Sequence, residues 1–241
     1  MGSGRYDEDT WNNYASSRSY ATASTEQIFE QRMVAAEMDP RGITVRESRD
    51  SADNPESTPI IVGLDVTGSM SVVLDTMARS GLNRLMTEVY NRKPVTDPHL
   101  LFMGIGDAEV DRGPLQVTQF EADIRMAQQL ERIWLEKGGG GNDYESYVLA
   151  WYFAAYHTSI DSFAKRGQRG FLFTVGDEQP TPRLRASDVE RVLGYRPGRD
   201  RALDAPALLQ AASAQWDIYH VVVAEGSHAR RHPDRVGGHG R

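Results

Sequence analysis

The sequence contains no cysteine, which excludes a disulfide framework, a thiolate zinc site and thiol catalysis. Lysine is nearly as scarce, occurring only at Lys93, Lys137 and Lys165. Acidic residues outnumber Lys and Arg by 34 to 27, for a formal net charge of −7. Such a chain lacks the cation surplus that non-specific binding to nucleic-acid phosphates requires. No apolar run approaches the ~20 residues that span a bilayer. Residues 1–20 show no basic segment leading into an apolar one, so no secretory signal is read there and a cytoplasmic location is expected.

What is present suits one sizeable domain with extensions. Residues 1–57 read as an N-terminal extension with one helix and a linker. Tyr6, Trp11, Tyr14 and Tyr20 lie among polar residues without a sustained period, and suit either a clamp on the main domain or a free tail. Ser24 or Thr25 can cap a helix running through Ile28, Phe29, Met33, Val34 and Met38, with Pro40 and Gly42 to stop it. The stretch from Arg46 to Pro59 is charged and turn-rich.

Residues 58–225 have a different character. Pro59–Asp65 is a short apolar run ending in polar residues, the mark of a strand buried on both faces. Val73, Met77, Leu82, Leu85, Met86 and Val89 follow at helical spacing, closed by Pro94. A second buried strand is expected over Leu100–Ile105, a short one over Val117–Phe120, and a helix over Ala122–Leu135. Four glycines, Gly138–Gly141, precede a very apolar helix from Tyr144 to about His157. A third buried strand spans Gly170–Val175, helices span Arg185–Leu193 and Ala205–Gln215, and a last strand spans Asp217–Val223. Strands alternating with helices predict an α/β fold, Rossmann-like and doubly wound, with a mostly parallel sheet flanked by helices. Residues 226–241, rich in Arg, His and Gly, read as a mobile tail.

Ligands of open α/β sheets bind beyond the carboxyl ends of the strands, so the polar residues after each buried run carry the functional reading. They are Asp65-Val66-Thr67-Gly68-Ser69 after the first, Asp107 after the second, Asn142-Asp143-Tyr144-Glu145 before the apolar helix, and Asp177-Glu178 after the third. Oxygen donors without Cys or His suit a hard cation. Asp65, Thr67 and Ser69 also suit a turn that caps a helix, but that reading leaves Asp177 unexplained. Glu145, Glu178 and Asp107 are read as solvated or as supporting the ligands from behind. The glycine run is not a P-loop, because no Gly-Lys-Ser/Thr follows it.

Asp65-x-Thr67-x-Ser69 at the end of the first strand, with Asp177 in a later loop, resembles the metal-ion-dependent adhesion site of von Willebrand factor A (VWA) domains. The resemblance covers roughly Pro59–Ala224. It implies a magnesium ion, or calcium or manganese, touched directly by the Thr67 and Ser69 hydroxyls and held by Asp65 and Asp177 mostly through water. It further implies that an Asp or Glu of a protein partner completes the coordination, and that the protein is not an enzyme. Cytoplasmic bacterial relatives of this type resemble adaptors of MoxR-type AAA+ ATPases, which sets the partner class expected.

The sequence departs from the family pattern in two places. The second metal loop usually offers a threonine, and none lies between Gly138 and Glu145, so Asn142 or Asp143 is expected to stand in. The helix that usually follows the last strand is missing from the sequence pattern, and the N-terminal helix is expected to cover that face. The alternative function is a metal-dependent phosphohydrolase with Asp65 as nucleophile. Phosphatases of the haloacid-dehalogenase type want a second aspartate two residues on, where this chain has Thr67, which removes the general acid.

Overall fold

The computed structural model describes residues 4–136, 144–198, 201 and 203–223, and for Ser69 the backbone alone. The extension contributes α1 (Glu8–Ser17), α2 (Thr25–Ile28) and β1 (Arg46–Ser48). Then come β2 (Thr58–Asp65), α3 (Ser71–Thr76), a π-helical turn over Met77–Gly81, and α4 (Leu82–Arg92). They are followed by β3 (Pro98–Ile105), β4 (Leu115–Val117), α5 (Arg125–Leu130), β5 (Tyr144–Glu145), α6 (Tyr147–Tyr156), β6 (Thr158–Ile160) and α7 (Asp161–Arg166). The last elements are β7 (Gly170–Gly176), β8 (Gln179–Pro180), α8 (Ala186–Leu193), α9 (Ala205–Ala212) and β9 (Trp216–Val222).

The main sheet has the order β4-β3-β2-β7-β9. All its pairs are parallel except β3 with β4, which is the Rossmann-like α/β arrangement that the alternation predicted. β2 lies at the centre, buried from Ile61 onward because helices cover both faces. On one side α6 carries eight consecutive buried residues, Tyr147–Ala154, and shares a core with Leu172, Val189, Leu208 and Trp216. A helix buried all round shows no amphipathic stripe, which is why this segment reads as uniformly apolar in sequence.

The other side is packed by α3, α4, α5 and the N-terminal extension. The extension is a clamp, and it contains two α-helices rather than one. Trp11, Tyr20, Ile28, Phe29 and Met38 enter the core beside Val62, Leu64, Leu82 and Phe102. Arg79 of the π turn donates to the Tyr20 and Ala23 carbonyls, and Thr25 bonds Asp75 at 2.8 Å. Glu131 receives Arg18 at 2.9 Å and the Tyr20 hydroxyl. Further on, Asp50 accepts from Ser57 and Arg166, and β1 pairs in parallel with β6.

Three expectations are corrected. Ser24 does cap α2, in a reciprocal capping box with Gln27, but the helix ends at Ile28 instead of reaching Met38. The backbone leaves the helix at Phe29, where φ is −98° and ψ is 80°, and Ile28 and Phe29 are both buried in the core. The helix expected over Ala122–Leu135 is only Arg125–Leu130, because Gln116 of β4 pins both backbone groups of Trp134 and pulls the chain out straight. The extension also does not cover the sheet face beside the last strand. Phe171, Phe173, Val175 and Val221 there line an apolar groove of about 370 Å³ with Leu85 and Val89. Among the described residues no helix is long and apolar enough to cross a membrane.

Candidate metal centre

The parallel register of β2 with β7 pairs Leu64 with Val175, so Asp65 is level with Gly176 and Asp177 lies one residue beyond. Adjacent strands run ~4.8 Å apart, which places these two carboxylate-bearing residues side by side at one sheet edge. Both are buried, at 0% and 2% exposure. Burial first and the charge of Asp177 second push the Asp65 carboxyl up to about 6, against the hydrogen bonds from Thr67 and Tyr147. Mutual repulsion of this kind is the electrostatic signature of a place that takes a proton or a cation.

Thr67 is buried beside Asp65 and donates to it twice, from its backbone N–H at 2.8 Å and from its hydroxyl at 2.6 Å. A hydroxyl that donates to a carboxylate keeps its lone pairs for another partner, so Thr67 Oγ1 remains a competent cation ligand. Ser69 lies on the 3-10 turn Gly68–Met70 that leads into α3. Asn142 and Asp143 lie outside the described residues. Of the six predicted ligands, the structure therefore brings Asp65, Thr67 and Asp177 together, with the Ser69 backbone close in the same loop.

Two residues read as solvated or supporting, Glu145 and Asp107, are buried here, and Ser146 gains a place that the sequence did not assign it. Glu145, read as solvated or supporting, is 3% exposed, and its Oε2 has no hydrogen-bond partner among the described residues. Burial and the charges of Asp65, Glu178, Asp111 and Asp107 push its carboxyl up to about 10, so it faces the same acidic edge. Asp107 is also buried, because the loop after β3 folds on itself: its N–H donates to Asp111 and its carboxylate accepts from Glu109. Ser146 offers a buried hydroxyl next to Glu145, one residue beyond the loop searched for a threonine, and accepts the Ala108 N–H at 2.9 Å. Its sequence signal was only its place at the start of the apolar helix.

Tyr147, the first residue of α6, reaches under the edge. Its hydroxyl lies 3.5 Å from Asp65 Oδ2 and accepts from the backbone of Glu178. Among the described residues no group of three acidic or histidine side chains forms a cage for a metal. The donor set Asp65, Thr67 and Asp177 has only two carboxylates, so a cation there depends on hydroxyls and water. Oxygen donors of this kind fit a hard divalent ion, and the shared field of the two buried carboxylates fits its charge.

Neither a family model nor a curated protein matches the chain. Among solved structures, the pilus adhesin SpaC from Lactobacillus rhamnosus GG, in its open conformation, is similar with a TM-score of 0.41 and 10% sequence identity. The match covers 73% of this chain and 24% of the adhesin, so the chain spans about a quarter of that protein's length.

Proposed function

We propose that this chain is a metal-dependent protein-interaction module of the VWA type, which captures an Asp or Glu of a partner through a divalent cation. Asp65, Thr67, Ser69 and Asp177 would hold the ion, with Asn142 or Asp143 from the glycine-rich loop. The observation that supports this reading is the pair of buried carboxylates, Asp65 and Asp177, at neighbouring strand ends, with the Thr67 hydroxyl bonded to one of them. Burying like charges side by side costs several kcal/mol unless a counter-charge joins them. Magnesium is the first candidate, calcium or manganese the next. When bound, the ion supplies positive charge that hydroxyl ligands leave incompletely cancelled and that an outside carboxylate can meet.

The test is capture from a lysate on the immobilised protein, with magnesium, with chelator, and with Asp65→Asn in magnesium. Retention of a defined partner only in the first arm supports the reading, and a MoxR-type AAA+ ATPase is the partner class to probe first. Equal retention in all three arms would sink it.

A further inference from the structure

The Tyr147 hydroxyl is not explained by packing alone. The side chain is fully buried, yet its polar end is aimed at the acidic edge instead of the apolar interior. It meets Asp65 Oδ2 at 3.5 Å on the β2 side and the Glu178 backbone on the β7 side. The chain makes room for it at Gly176, where a Cβ would stand 1.7 Å from the Tyr147 oxygen. Gly176 has no positive φ to require a glycine, so close approach of this hydroxyl is what demands one. The other side of the ring packs on His220, with centroids 4.8 Å apart, and His220 is itself tied to Thr174 at 2.9 Å. The oxygen is thus held at one point, between the two strand ends that carry Asp65 and Asp177.

We propose that Tyr147 is a positioning residue for the metal centre: its hydroxyl fixes Asp65 and the Gly176–Glu178 turn relative to each other, so that both carboxylates meet one ion without rearrangement. This rests on the metal-dependent reading given above. Partners that orient metal ligands from behind change metal affinity by roughly 10–100-fold when removed. Tyr147→Phe deletes only the oxygen and keeps the ring. Tyr152→Phe is the matched control, since Tyr152 is a buried tyrosine of the same helix whose hydroxyl bonds Tyr195 at 2.7 Å.

The experiment is calorimetric titration of the full chain and both variants with magnesium and with manganese, alongside ultraviolet difference absorbance of the tyrosines. The expected result is metal binding by the parent chain, binding at least about tenfold weaker in Tyr147→Phe, and unchanged affinity in Tyr152→Phe. The metal-induced tyrosine difference signal should disappear in Tyr147→Phe alone, even at saturating metal. A Tyr147→Phe protein that binds as tightly as the parent overturns this inference and leaves the metal site standing. Equal weakening in both variants makes the effect one of packing and also overturns it. A parent chain that binds neither metal overturns the metal site and the role of Tyr147 together.

Discussion

Replacing Asp65 by Asn in the metal-free protein gives the most discriminating stability test. The Asp65 carboxyl moves from its ordinary 3.8 to about 6 on folding, through burial first and the Asp177 charge second. One unit of pKa corresponds to about 1.4 kcal/mol, so the ionised form destabilises the folded chain by about 3 kcal/mol. The sign follows from proton binding. Between pH 4 and 6 or so the folded state holds a proton that the unfolded state has released, so stability falls as pH rises through that window and levels off above it. Asparagine keeps an oxygen to accept from the Thr67 N–H and hydroxyl but carries no charge. In chelator near pH 7, Asp65→Asn is therefore expected to be more stable than the parent by up to about 3 kcal/mol, with the gain vanishing near pH 4. Urea unfolding followed by tryptophan fluorescence at both pH values measures this. Excess magnesium should reverse the order, since a ligand at about 1,000 times its Kd stabilises the folded parent by about 4.1 kcal/mol. A variant less stable than the parent near pH 7 in chelator would refute the reasoning, because it would make Asp65 a structural cap whose hydrogen bonds outweigh its repulsion.

Three further outcomes follow from other parts of the chain. Asp143→Thr is expected to weaken magnesium affinity and strengthen binding of an acidic peptide, as replacing a charged ligand by a hydroxyl leaves more of the ion's charge uncancelled; unchanged calorimetric titrations would remove Asp143 from the ion. Glu131→Ala should destabilise the protein by about 2 kcal/mol and speed tryptic cleavage within residues 1–20, because it leaves Arg18 and Tyr20 without their shared acceptor; an unchanged digestion pattern would count against the clamp. Burial raises the Asp50 carboxyl, but hydrogen bonds from Arg166, Ser57 and Lys165 more than reverse this and hold it below the usual range. It therefore contributes stability above its unfolded pKa that disappears as pH falls through its folded value. Asp50→Asn should lower the urea midpoint near pH 7 and match the parent in strong acid, and a midpoint difference constant with pH would contradict the ion pair.

Legibility differed from element to element for physical reasons. β2 and β3 stood out because strands covered on both faces must be apolar along their whole length, and β7 stood out because its Phe171, Phe173 and Val175 keep the groove face apolar as well. α6 stood out for the same reason as β2 and β3, being enclosed between the sheet and α8 and α9. β1, β6 and α7 left no signal: two three-residue strands and one short helix carry too few residues to show a period. The over-long helices at Ser24 and Ala122 failed where tertiary contacts overrode local propensity, with Phe29 buried in the core at the first helix's end and Gln116 binding Trp134 at the second's.

By itself the sequence determined the alternation of strands and helices, and with it which loops share the carboxyl edge of the sheet. That followed because connection rules allow few ways to wind alternating elements, and the Asp-x-Thr-x-Ser spacing lies within one such loop. Only the tertiary structure decided which of several acidic residues are buried together. Asp177 joins Asp65 through strand register, Glu145 is buried near Asp65, and the Tyr147 hydroxyl rises between strands more than a hundred residues from one another in the chain. Charge separation, burial and close approach depend on distances between segments remote in sequence, and no local pattern of residues encodes those distances.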